Sequence, residues 1–113
     1  MNFETEHNKN EAVVKTKVDK LDASNASELK AEITLLNKQG VNKLVIDMKH
    51  TKYCDSSGLS AILMANRLCK DTNGQFVLCG LQENVFKLIQ IAQLDKVLVI
   101  TEDQNTALEN IRK

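Results

Sequence analysis

A chain of 113 residues with fifteen basic and fifteen acidic side chains and 42% hydrophobic residues has the size and composition of one compact globular domain. Its zero formal net charge withholds the general attraction that nucleic acid or an anionic membrane exploits, so neither is an expected partner. The longest apolar stretch, Leu59 to Ala65 with Ser60 inside it, falls far short of the roughly 20 residues that cross a bilayer. Met1 to Glu6 lack the basic and apolar regions of a signal peptide, so the expected location is cytoplasmic.

The apolar periodicity switches repeatedly between two and 3.6 residues along the chain. Asn2 to Glu6 reads as a short edge strand, and Ala12 to Val18 as a second strand with Val14, Thr16 and Val18 on one face and a wet opposite face. Ala26, Leu29, Ile33 and Leu36 follow spacings of three and four, with Asn25 and Glu28 placed to form a capping box and Gly40 to end the helix. Leu44-Val45-Ile46, within Lys43 to Met48, reads as a strand buried on both faces. Phe76 to Cys79 and Val97 to Ile100 repeat that character. Helical patterns fall between these strands at Ser57 to Lys70 and Gln82 to Gln93, and a last one at Thr106 to Arg112. The order implies an α/β domain over residues 1–113, with a mixed, mostly parallel sheet of four to five strands and about four helices.

Cys54, Cys69 and Cys79 are odd in number and lack paired short spacing, which argues for reduced thiols rather than a disulfide framework. His7 and His50 lie at no ligand spacing from them, so neither a metal nor a cofactor is expected.

The distinctive segment is Lys43 to Leu63, a buried strand and a loop from Lys49 to Asp55, followed by Ser56-Ser57-Gly58-Leu59 opening a helix. One reading makes Asp55 or Ser56 a plain N-cap. Another uses the helix amino end, with its unpaired N–H groups and positive dipole, to accommodate an anion such as a phosphate attached locally. The pattern does not match Gly-x-Ser-x-Gly, a P-loop or a dinucleotide-binding turn, and no acid/base pair accompanies His50 or Tyr53 in the loop. Along the following helix Ala61, Ile62, Ala65, Leu68 and Cys69 share a broad face that should be core. Leu59 and Leu63 are either core or an apolar patch for a partner, and Met64 is open in the same way.

Asp55-Ser56-Ser57-Gly58-Leu59, following Leu44-Val45-Ile46-Asp47, resembles the signature of the STAS domain, in its anti-sigma factor antagonist group. The resemblance extends over nearly the whole chain, including Lys20-Leu21-Asp22 and Phe76-Val77-Leu78-Cys79-Gly80. It implies a partner-switching protein rather than an enzyme. In its unphosphorylated form such a protein sequesters an anti-sigma factor that is also a serine kinase, and so releases a sigma factor; a PP2C-type phosphatase reverses phosphorylation. Carried onto this chain, the phosphoacceptor is Ser56, and Asp22, Asp55, Ser57, Gly58, Leu59 and Leu63 belong with it to the partner-binding surface. The chain departs from the pattern at Asp19 and Ser60, where glycine is frequent, and at Asn25, where threonine is. Other expectations for the same fold are a subunit of a lipid-transport or stress assembly, or a small-ligand or nucleotide binder at the carboxyl edge of the sheet.

Overall fold

The computed structural model describes residues 2–112. In chain order it runs β1 (Phe3–Asn8), β2 (Glu11–Thr16), β3 (Lys20–Leu21), α1 (Ala26–Lys38), β4 (Lys43–Asp47) and β5 (Tyr53–Cys54). Then come α2 (Ser56–Asp71), β6 (Gln75–Cys79), α3 (Glu83–Ile91), a 3-10 turn (Leu94–Lys96), β7 (Val99–Thr101) and α4 (Gln104–Ile111). The main sheet has the order β1-β2-β4-β6-β7; β1 is antiparallel to β2, and every other pairing is parallel. This is the α/β domain that the alternating periodicity implied, with a mixed, mostly parallel main sheet of five strands and four helices.

Side-chain alternation along the central strands sorts the core into two layers. Val14, Leu44, Ile46, Phe76 and Leu78 point to the side where Leu29 and Ile33 of α1, Ile62 and Ala65 of α2, and Val85 and Ile89 of α3 pack. Val13, Val45, Val77 and Cys79 point to the other side, against Ala107 and Ile111 of α4. Val45 and Ile46 are fully buried, as a strand covered on both faces requires. The wet face assigned to β2 is dry at Val13, which α4 covers; Lys15 beyond it answers Glu4 and Glu6 of β1.

Several boundaries differ from the sequence pattern for local reasons. The first strand runs on to Asn8, because the turn into β2 lies at Lys9, which takes a positive φ of 57°. The strand expected from Val97 begins only at Val99. The amides of Val97 and Leu98 both donate to the Leu94 carbonyl, closing a turn that keeps them out of the ladder. The capping box at α1 does not form. Asn25 Oδ1 accepts from the Asp22 amide (3.0 Å) and its Nδ2 donates to the Lys20 carbonyl (2.9 Å), so the side chain ties the entry turn instead. Glu28 accepts from Asn2 rather than reaching back to the cap. Gly40 ends α1 with φ at +98°, the left-handed conformation expected of it.

The loop after β4 is not irregular throughout. Its Tyr53–Cys54 pair forms β5, parallel to β3, making a two-stranded ribbon beside the main sheet. Thr51, fully buried, fastens the segment: its hydroxyl donates to the Val18 carbonyl (2.8 Å) and lies 2.6 Å from the hydroxyl of Thr16. The amides of Lys52 and Tyr53 both donate to the Asp19 carbonyl (2.8 and 3.0 Å).

Candidate functional site

The amino end of α2 is built by Asp55. Its backbone is extended (φ −114°, ψ −170°), and one carboxylate oxygen accepts from the amides of Ser57 (2.9 Å) and Gly58 (3.1 Å). The Leu59 amide donates to the Asp55 carbonyl (3.0 Å). Of the two candidates for the cap, Asp55 is therefore the one, and Ser56 is the first residue of the helix with its side chain exposed. Two of the amides offered to a phosphate on Ser56, those of Ser57 and Gly58, are taken for the same reason. The donors are already engaged by a carboxylate, so a phosphate adds its charge beside an existing one. Removing the cap with Asp55→Ala is expected to cost about 1 kcal/mol, a fall of roughly 5 °C in melting temperature for a domain of this size. Asp55→Asn should retain most of it, and a thermal scan of the three proteins checks both.

The β3–β5 ribbon carries the helix end. The Asp55 amide donates to the Leu21 carbonyl (3.2 Å), extending the ribbon to the cap. Gly58 is buried against it: a Cβ there would stand 2.6 Å from both the Leu21 carbonyl oxygen and the Cys54 sulfur. Gly58, expected on the partner-binding surface, thus sits beneath that surface and acts by permitting close approach. Asp22 lies in the turn after β3. It accepts from the Ser24 hydroxyl (2.6 Å) and amide (3.0 Å), and these bonds hold its carboxyl below the usual range.

Two depressions flank the helix end. The first, about 420 Å³, brings Asp22 and Asp55 together with Lys20, Leu21, Tyr53 and Cys54. Tyr53 is 51% exposed, and the Lys20 ammonium stands 5.9 Å from the centre of its ring, within cation–π range. Neither residue was assigned to the partner-binding surface from the sequence. A lone tyrosine in a segment read as loop carries no periodic signal, and the ribbon that presents it is two residues long. The second depression, about 560 Å³, lies along α2 and is lined by Ser56, Leu59, Leu63 and Met64, among others. The choice left open for the leucines resolves both ways: Leu59 is core, at 9% exposure, and Leu63 is half-buried, yet both form the floor of a groove. The seven predicted site residues are therefore gathered around one helix end, with Ser56 at its exposed tip.

Burial pushes the Cys54 thiol up to about 12, helped by the Asp55 charge, and the Cys69 thiol up to about 11. Burial likewise raises Cys79 to about 12, with Asp47 and Asp103 adding to it. All three are free and protonated at neutral pH, hence poor nucleophiles and poor soft-metal ligands. Among the described residues no three His, Cys, Asp or Glu side chains converge to hold a metal ion, and no helix is long and apolar enough to cross a membrane.

Comparison with known proteins follows the same lines. The STAS domain family profile matches residues 2–107. The anti-sigma-B factor antagonist of Listeria monocytogenes is 30% identical over 81 residues, 71% of this chain and 70% of its own. The anti-sigma F factor antagonist of Paenibacillus polymyxa is 25% identical over 76 residues, 67% of this chain and 65% of its own. Among solved structures, the anti-sigma factor antagonist SpoIIAA in its unphosphorylated form superimposes with a TM-score of 0.84 at 20% identity, over 97% of this chain and 96% of that one. The phosphorylated form of SpoIIAA, from Bacillus, gives 0.75 at 20% identity over 96% and 98%. With its fold, its β4–α2 signature and its relatives in agreement, the chain belongs to the STAS domain family, among members named anti-sigma factor antagonists.

Proposed function

We propose that this chain is an anti-sigma factor antagonist switched by phosphorylation of Ser56. Unphosphorylated, it binds an anti-sigma factor that is also a serine kinase, and a sigma factor is released. Phosphate on Ser56 ends the contact, and a PP2C-type phosphatase restores it. In this reading residues 1–113 act as one module in the cytoplasm, where sigma factors work; Met1 and Lys113 lie outside the described residues.

The observation that carries the reading is the placement of Ser56, an exposed hydroxyl on the first turn of α2, between two depressions and on a rigidly fastened helix end. A kinase can reach it without unfolding anything. Ser57, one residue on, is partly buried and its amide is held by the cap. Asp22, Asp55, Leu59 and Leu63 border the same tip, so a partner covering them covers the acceptor too. The existence of SpoIIAA in phosphorylated and unphosphorylated forms supports the reading by analogy.

The direct test is incubation with the anti-sigma factor kinase and ATP, followed by mass mapping of the phosphate. The wild-type chain and Ser57→Ala are expected to take up one phosphate at Ser56, and Ser56→Ala none. Phosphate on Ser57, or none on the wild type, would sink the assignment.

A further inference from the structure

The main sheet has two edges, β1 and β7. On β1, two copies paired about Thr5 would set Glu4 of one against Glu6 of the other, so that edge resists self-association. The other edge differs: Val99-Ile100-Thr101 bears neither charge nor proline. The direction of its backbone groups follows from the ladder. The Met48 amide donates to the Cys79 carbonyl, so the main-chain groups of Cys79 face β4 and those of Leu78, one residue back, face β7. Leu78 is in register with Ile100, which gives it the Val99 carbonyl and the Thr101 amide as partners and turns the N–H and C=O of Ile100 away from the sheet. On that outer side the Leu98 amide is taken by the Leu94 carbonyl (2.9 Å), and the Glu102 carbonyl by the Gly80 amide (3.2 Å). The groups left in the row are the Leu98 carbonyl, both groups of Ile100 and the Glu102 amide.

We propose that β7 is a dimerisation edge, on which a second copy of this chain pairs antiparallel about a two-fold axis at Ile100. In that register the four groups complement themselves. Each Ile100 amide donates to the Ile100 carbonyl of the other copy, and each Glu102 amide to its Leu98 carbonyl. The two groups already taken, the Leu98 N–H and the Glu102 C=O, are the two that fall opposite one another. Moving the axis to Val99 sets the Ile100 carbonyl against a spent Leu98 amide instead. An unrelated strand needs a matching pair of gaps of its own, whereas a second copy has them by symmetry. The side chains agree. Val99, 40% exposed, falls opposite Thr101 of the other copy as a β-branched pair, and Ile100 meets Ile100. No like charges stand directly opposite, because Glu102 faces Leu98. Along the same edge Phe86, Leu98 and Ile100 border a hollow of about 640 Å³, which leaves room for the second copy on the α3 side. The pairing uses neither α2 nor Ser56, so it is independent of the switch, and a dimer carries two such helix ends.

So short an edge gives an interface at the small end of the usual range, and a Kd on the order of 0.1 mM is expected. Sedimentation equilibrium of the full chain between about 10 μM and about 1 mM should follow that monomer–dimer equilibrium. Amide hydrogen exchange at the two concentrations locates the contact. The amides of Ile100 and Glu102 should exchange about fourfold more slowly at the higher one, in proportion to the fraction left monomeric. Those of Val99 and Thr101, which face β6, should not change. Two charge variants test the register. Val99→Lys places two lysines on a diagonal across the axis, and Thr101→Glu two glutamates. Each alone is expected to stay monomeric at about 1 mM while melting as a folded domain. An equimolar mixture should regain the dimer, because position 99 of one copy lies opposite position 101 of the other. A parent chain that is monomeric at about 1 mM, or a dimer whose added protection falls elsewhere and spares Ile100, would overturn the proposal. So would single variants that dimerise like the parent, or a mixture that stays monomeric.

Discussion

Gly58→Ala is expected to lower the stability of the fold by about 3 kcal/mol, near the top of the range for overpacking a tight contact. In an ordinary helix the same change stabilises, since alanine is the better helix former by about 1 kcal/mol. The sign reverses here because of what the added methyl meets. Two of its neighbours, at 2.6 Å, are the Cys54 sulfur and the Leu21 carbonyl oxygen, with Leu21 Cγ at 3.0 Å. A sulfur can rotate aside, but the carbonyl cannot. It is part of the β3–β5 ribbon and accepts the Asp55 amide. Either α2 lifts away from the ribbon or the ribbon opens, and both undo the helix end. Against a total stability of roughly 5–15 kcal/mol for a typical domain, the loss should appear as a fall of about 15 °C in the thermal midpoint. Gly40→Ala is the useful control: open space surrounds that position, and its cost comes only from the φ of +98°, about 1–2 kcal/mol. A Gly58→Ala protein as stable as the parent would show that the close approach is not a constraint.

Phosphorylation of Ser56 should weaken binding of the anti-sigma factor about a hundredfold or more while leaving the domain folded. A unit charge 4 Å from a partner carboxylate is repelled by about 4 kcal/mol at an effective dielectric near 20. The acceptor is exposed, so screening reduces this; even about 2.8 kcal/mol is a hundredfold in affinity. The effect on the fold itself is small. The helix dipole favours a negative charge at this end by about 0.3–1 kcal/mol, and the Asp55 carboxylate, already holding the Ser57 and Gly58 amides, opposes it. Titration calorimetry of the two forms, with melting curves alongside, separates the outcomes. Ser56→Asp should reproduce part of the loss, because it supplies one charge and no phosphate oxygens. Equal affinity of the phosphorylated and unphosphorylated forms would rule out charge at Ser56 as the switch. Loss of binding that came only with a collapse in melting temperature would replace local blockade by unfolding.

Much of this was legible in the residues. Leu44-Val45-Ile46 and Phe76 to Cys79 are apolar on both faces because both faces are covered, and the short unbroken run of β-branched and apolar residues reveals that. Asp55 before Ser56-Ser57-Gly58 marks a helix start for a reason that is local to four residues. What stayed hidden depends on partners distant in sequence. Tyr53–Cys54 is a strand only because Lys20–Leu21 lies beside it, and two residues carry no periodicity of their own. Asn25 looked like a cap because its competing partners, the accepting Lys20 carbonyl and the donating Asp22 amide, become neighbours only once the chain has turned.

The fastening of the β4–α2 segment by Thr51 bears on the speed of response. A binding surface that must first assemble slows association and lowers apparent affinity by the fraction of time it is unformed. Here the buried hydroxyl and the paired amides of Lys52 and Tyr53 hold that surface in place before any partner arrives. Association then proceeds at the rate of an ordinary rigid encounter, on the order of 10⁵–10⁷ M⁻¹s⁻¹, and the lifetime of the complex alone is left for phosphate to shorten. Under the proposed switch, a cell using such a module reads the current balance of kinase and phosphatase with little delay of the protein's own making.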